Sequence, residues 1–127
     1  EYLMAKIKAY RDANIVVNTG GTCGEIAMYE GVFDRWLEHA KYLGFNAIEV
    51  SDGTINVTDK ERCEMIEKVL NAGFECCTEV GKKMEEDQLE MSEAIRQIKR
   101  DLAYGVSTVT VESRGSAKGR GRLRQER

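Results

Sequence analysis

Three glutamates and a pair of lysines hold most of the chemistry this sequence can offer. Glu49 stands in the run Ala47-Ile48-Glu49-Val50-Ser51, Glu79 in Glu75-Cys76-Cys77-Thr78-Glu79-Val80, and Glu112 closes Thr108-Val109-Thr110-Val111-Glu112. All three runs read as short strands, along which side chains alternate. The aliphatic positions Ile48, Val50, Val80, Val109 and Val111 must meet a helical layer, which leaves the three glutamates together on the other face. Asp52, just past its strand, adds a fourth carboxylate. Carboxylates gathered in low dielectric repel one another unless a cation sits among them. Hard oxygen donors with room for water suit Mg²⁺, so Glu49, Asp52, Glu79 and Glu112 are metal-ligand candidates. The plainer alternative is that one or two of these acids pair with Lys82, Lys83 or Arg114.

Lys82 and Lys83 follow Glu79-Val80-Gly81 directly. Being adjacent, one can face a ligand while the other faces solvent. A lysine held near another cation and partly desolvated has a lowered pKa and can pass protons; the alternative is a solvated pair after a strand. Gly20-Gly21-Thr22 offers backbone N–H groups to an anion, and Ser116-Ala117-Lys118-Gly119 could hold phosphate in the same manner. His39 lies mid-helix among charged residues and reads as a surface histidine. Cys23, Cys63, Cys76 and Cys77 show no zinc-type spacing, and small buried thiols in a reducing compartment are the expectation.

The elements that position these residues follow from periodicity. A helix is predicted over 3–11, with Leu3, Met4, Ile7 and Tyr10 on one side. Ile15-Val16-Val17-Asn18 reads as the first strand, and Thr19 to Thr22 as a loop. A short helical piece runs from Glu25 to Tyr29. A further helix starts at Phe33, buries Phe33, Trp36, Leu37, Ala40 and Leu43, and stops at Gly44. Thr58-Asp59-Lys60-Glu61 is a capping box that opens a helix with Arg62 (stem only), Met65, Ile66, Val69 and Leu70 inward. After the acidic loop Glu85-Glu86-Asp87, a last helix turns Met91, Ile95, Ile98 and Leu102 inward. Leu43-Gly44-Phe45, Ala72-Gly73-Phe74 and Tyr104-Gly105-Val106 mark one joint three times, a repeat of about thirty residues. This is the βαβ rhythm of a parallel sheet with right-handed crossovers.

Length and composition bound the class. The 127 residues suit one domain, 42% apolar and 32% charged, with net charge −3. No apolar run approaches the ~20 residues of a membrane span, and residues 1–4 lack signal-peptide character, so a cytoplasmic protein is expected. Nucleic-acid binding is not favoured by the overall charge. Residues 119–127 form a basic Gly/Arg-rich tail expected to be disordered, after a domain spanning 1–118. The fold class is α/β. A parallel sheet with one small, polar face favours the interior of a (β/α)8 barrel over an open doubly wound sheet, which buries both faces. A whole barrel takes ~250 residues. Four βα units make about half of one: an excerpt of a longer chain, a half that associates with a second copy, or a sheet that flattens into an open form.

Taken together, Gly20-Gly21-Thr22, the run Leu43 to Gly53, Thr78-Glu79-Val80-Gly81-Lys82-Lys83, Glu112-Ser113-Arg114 and Ser116-Ala117-Lys118-Gly119 resemble the phosphosulfolactate synthase family of coenzyme M biosynthesis, with matching order from about residue 5 to 119. The resemblance implies a (β/α)8 barrel and a Mg²⁺-dependent lyase that adds sulfite to the methylene carbon of phosphoenolpyruvate. By position it implies Lys83 as general acid with Glu79 beside it. Glu49, Asp52, Glu79 and Glu112 would hold metal or position charge. Gly20, Gly21, Thr22, Lys82, Arg114, Ser116 and Lys118 would hold the anionic substrates. A homo-oligomer is expected. The competing expectation is a non-catalytic half-barrel relative that self-associates and binds an anion.

Overall fold

The computed structural model describes residues 1–81 and 89–112. Its elements are α1 (Tyr2–Asp12), α2 (Gly21–Tyr29), α3 (Phe33–Leu43), β1 (Ala47–Val50), α4 (Asp59–Asn71), β2 (Glu75–Val80), α5 (Met91–Ala103) and β3 (Thr108–Val111). The strands form one parallel sheet in the order β1-β2-β3. The described chain is therefore mixed α/β, built on the expected strand–helix–strand rhythm.

The helices α2, α3 and α4 pack on one face of that sheet. The core joins Ile48, Val50 and Cys76 to Ala27, Phe33, Leu37, Ala40, Met65, Ile66 and Val69, with Phe74 and Val106 at the strand entrances. The apolar stripes of α3 and α4 meet the aliphatic side of the alternating strands, as the periodicity requires. Thr58 opens α4 through the expected reciprocal cap: its Oγ1 accepts from Glu61 N–H at 3.2 Å, and Glu61 accepts from Thr58 N–H at 2.7 Å.

Four local expectations are corrected. Residues 15–18 are extended, but none of them joins the sheet. Val17 meets the start of β1 through its carbonyl, which accepts from Ala47 N–H at 3.2 Å. Its own N–H goes to the Asn46 side chain at 2.7 Å, so a side chain stands where a backbone ladder would continue. Next, α2 starts at Gly21, four residues earlier than the sequence suggests. Asn18 Oδ1 accepts from Gly20 N–H at 2.8 Å, a side-chain turn that aims the chain into the helix. In α1 only Ile7 is buried, while Leu3, Met4 and Tyr10 are exposed. In α5 the buried residue is Asp101, and Met91, Ile95 and Leu102 are exposed. Asp101 points at Arg62. At about 100° per residue the apolar stripe of α5 lies roughly a quarter-turn round from Asp101, so fixing the acid inward turns the stripe aside.

Candidate functional site at the carboxyl ends of the strands

The register places the acids. Glu49 stands opposite Cys77, and Cys77 opposite Thr108. Glu79 stands opposite Thr110. In a parallel pair, partners share a face, so Glu49, Cys77, Glu79, Thr108 and Thr110 line the side away from the described helices, and Glu112, two residues past Thr110, continues it. The strands do set the glutamates opposite the aliphatic positions, but Val111, expected to meet the helices, is exposed instead. The three glutamates stand on a diagonal, each two residues further along its strand than the last. With ~3.3 Å rise per residue and ~4.8 Å between strands, neighbouring glutamate Cα atoms are about 8 Å apart.

Two glycines shape this rim. Gly21, the first residue of α2, lies against the end of β1: a Cβ there would fall onto Ser51 Oγ, 2.7 Å from Ser51 Cβ and 3.1 Å from Glu49 Oε1. The glycine turn expected to meet an anion is thus pressed beside a carboxylate of the same chain. Gly81, at the exit of β2, has φ +133°, and a Cβ there would land on the Glu112 carbonyl, 3.1 Å from its carbon. Glu112 N–H donates to Val80 O at 2.9 Å. The glycine between Glu79 and the lysines is therefore needed for β3 to pass.

Asp52 is drawn into a different arrangement. Arg62 on α4 is 2% exposed, and its Nη1 donates to Asp52 Oδ1 at 3.0 Å. Its Nη2 donates to Asp101 Oδ2 at 2.7 Å and to the Glu79 carbonyl at 2.9 Å. Arg100 donates to Asp101 Oδ1 at 2.8 Å. Burial pushes the Asp101 pKa up, but hydrogen bonds and charge from Arg62, then Arg100, more than offset this, and the carboxyl lies below its ordinary value. One guanidinium thus ties the exit of β1, the exit of β2 and α5 together. The sequence reading assigned Arg62 only a buried stem; the whole side chain is buried because two carboxylates and a carbonyl meet it.

Glu25 was not singled out by sequence. It is 1% exposed, and both its oxygens accept hydrogen bonds from the segment after β1. Oε1 takes the Ser51 hydroxyl and Gly53 N–H at 3.1 Å. Oε2 takes Thr54 N–H at 2.8 Å and the Thr54 hydroxyl. Burial raises its pKa, but the bonds from Ser51, Thr54 and Gly53 together outweigh this and leave it lowered. An acid in a short helix one turn from a Gly-Gly was the available signal; its partners, about thirty residues away, were not.

The two thiols of β2 are poor nucleophiles. Burial first, then Cys77 and Asp101, push Cys76 up to about 12. Burial also raises Cys77. Cys76 and Cys77 are buried as expected, whereas Cys23 is exposed. Lys82, Lys83, Arg114, Ser116, Lys118 and the tail 119–127 lie outside the described residues. Among the described residues, no three His, Cys, Asp or Glu side chains form a group that could cage a metal ion, and no helix is long and apolar enough to cross a membrane.

A family model described as (2R)-phospho-3-sulfolactate synthase (ComA) matches residues 1–127. The chain is 41% identical over 123 residues to a protein of Methanocaldococcus jannaschii named phosphosulfolactate synthase, covering 95% of this chain and 49% of that protein. It is 34% identical over 129 residues to the protein of the same name from Methanothermobacter thermautotrophicus, with 95% and 50% covered. A Bacillus subtilis protein of that name is 29% identical over 119 residues, with 92% and 47% covered. The chain spans about half the length of the curated relatives it matches. With the motif runs and the parallel βα units agreeing in order along its length, the chain belongs to the phosphosulfolactate synthase family.

Proposed function

We propose that this chain forms half of a (β/α)8 barrel whose active mouth adds sulfite to phosphoenolpyruvate, giving phosphosulfolactate. The observation that carries this reading, beside the family, is the shared face of Glu49, Glu79 and Glu112 at the exits of consecutive parallel strands. Packing α2, α3 and α4 on one face and keeping charged and small residues on the other is the pattern of a barrel segment. Ligands of barrels bind at the carboxyl ends of their strands.

In the reaction the sulfur lone pair of sulfite bonds to the methylene carbon. The π electrons move toward the carboxylate, leaving an enediolate-like dianion. A proton then goes to the carbon that bears phosphate, and no bond to phosphate breaks. Lys83, two residues past Gly81, is the proposed acid. Lys82, Arg114, Ser116 and Lys118 are proposed to hold the anionic groups, with the N-terminal turn of α2 at Gly20-Gly21-Thr22. Glu79 is held by its own carbonyl, which Arg62 grips.

The donor chemistry fits a Mg²⁺ ion taken by one or two carboxylates, with water and substrate completing the shell. Glu49, Glu79 and Glu112 would supply those oxygens. Asp52, bonded to Arg62, is better placed to orient the rim than to face an ion. Bound there, Mg²⁺ would stabilise negative charge on the substrate carboxylate. The test is sulfite-dependent consumption of phosphoenolpyruvate by the purified protein, with and without Mg²⁺. Replacing Lys83 by Ala should cut turnover ~10²–10⁴-fold. Absence of sulfite-dependent turnover in the assembled wild-type protein would sink the reading.

A second reading has one observation in its favour. Ile95, Leu102 and Val111 are exposed at the β3 edge, which suits a non-catalytic half barrel that pairs with a second copy and binds an anion. It predicts an oligomer by light scattering and phosphate binding without turnover.

A further inference from the structure

We propose that Glu25 is a positioning residue of the mouth, a carboxylate that fills an anion-binding nest formed by Ser51, Gly53 and Thr54 and so fixes the exit of β1 against the glycine turn of α2. The site rests on four donors. Two successive backbone N–H groups, of Gly53 and Thr54, point at one place, flanked by the hydroxyls of Ser51 and Thr54. Successive N–H groups with hydroxyls beside them are how loops hold phosphate or carboxylate ligands. Here the ligand is a side chain of the same chain, delivered from one helical turn beyond Gly21.

A carboxylate has about four acceptor positions, and Glu25 uses one for each donor. Glutamine would set an NH₂ against a backbone N–H. Aspartate would fall one methylene short. The nest encloses the peptide that carries Asp52, and Ser51 is also the residue against which Gly21 packs. Glu25 therefore links three parts of the rim: Gly21, Asp52 and, through the Gly21 contact, Glu49. The nest is already occupied, so the substrate anions must be held by other groups.

This role rests on the proposed reaction for its kinetic consequences but not for its geometry, and two measurements separate them. Amide hydrogen exchange and NMR shifts of Gly53 and Thr54 are followed in wild type, Glu25→Gln and Glu25→Ala, with sodium formate or sodium chloride at equal ionic strength. Both variants should speed exchange at those amides about tenfold or more, as a lost hydrogen bond to a charged acceptor requires. Formate, and not chloride, should restore protection in Glu25→Ala by entering the nest. In the sulfite-addition assay the same variant should lose turnover ~10²-fold, as for a misplaced rim. The KM for phosphoenolpyruvate should change far less, and formate should recover part of the loss. Unchanged Gly53 and Thr54 amides, or equal effects of formate and chloride, would overturn the proposal. If Glu25→Ala does not fold, Ser51→Ala and Thr54→Val each remove one donor, and either should shift the Gly53 and Thr54 amides; a null result in both overturns it equally. Wild-type protein inactive toward sulfite would refute the proposed reaction, while the exchange results still decide the nest.

Discussion

The two sides of this sheet edge are built on opposite terms. At the exits of β1 and β2, buried charges do the joining: Glu25 holds the segment after β1, and Arg62 holds Asp52, Asp101 and the Glu79 carbonyl. At β3 and α5 large apolar side chains lie exposed among polar ones, with Met91 at 75% and Val111 at 59%. The first region is satisfied within the described chain. The second shows surface of the kind that a neighbouring element covers. A polar knot of this type stabilises less than an apolar core of equal volume, but it fixes geometry. Rigidity is thus concentrated where the acids of the rim are, and apolar surface is left open one strand away.

The sharpest way to break that contrast is to cut the knot. Arg62→Met leaves Asp101, fully buried, with Arg100 as its remaining ion-pair partner among the described residues, and removes one partner of Asp52. The expected loss is ~3–5 kcal/mol, because a buried charge keeps its desolvation cost when its partner goes. Urea unfolding followed by circular dichroism reads it, and Arg62→Lys should recover only part, since an ammonium lacks the planar fork that reaches three acceptors. A loss under 1 kcal/mol would mean the rim is held by something else. Next in size is Gly81→Ala. The left-handed φ and the collision with the Glu112 carbonyl together should destabilise by about 1–3 kcal/mol. The amides of β3 should exchange before those of β1. If β3 and β1 lose protection equally, Gly81 is not the point where β3 is held.

Acid should loosen the knot before the apolar layer. Glu25 and Asp101 both have folded pKa values below their ordinary 4.5 and 3.8. A depressed folded pKa contributes stability that is present above the ordinary value and is lost as pH falls through the folded one. Stability should therefore hold above about pH 4.5 and fall below it. Glu25→Gln should flatten the upper part of that decline in a series of urea midpoints. An unchanged pH slope would show that Glu25 does not carry it.

How much of this was legible beforehand divides along the same line. Period-two alternation placed Glu49, Glu79 and Glu112 on one face because a strand's geometry is local. The capping box at Thr58 and the helix from Phe33 to Leu43 followed for the same reason. Glu25 acts across 26 to 29 residues and Arg62 across 10 to 39, and no spacing rule links such partners. The apolar stripe of α5 misled because Asp101, the acid of that helix that is buried, sets its rotation. Residues 15–18 have strand composition, yet whether such a segment joins a ladder depends on its neighbour, and Asn46 supplies a side chain there instead. A charged residue inside an apolar period was the signal for Arg62, which stands in α4 where a core residue would serve, whereas Asp101 lies off the apolar stripe of α5 and carried no such signal.

The smallest effect tests the open side. Ile95→Glu and Leu102→Lys alter residues 44% and 51% exposed, so the folded monomer should change by no more than ~0.5 kcal/mol. What should change is association. If β3 and α5 are covered by a second copy, both charges should shift the mass measured by light scattering toward the monomer, and the shift should deepen on dilution. If the covering element belongs to the same polypeptide, the same substitutions should instead destabilise the protein by more than a surface change can, with no dependence on concentration. The two outcomes separate a half barrel that pairs from a barrel that closes on itself. Either one accounts for apolar surface beside a rim already held by Glu25 and Arg62.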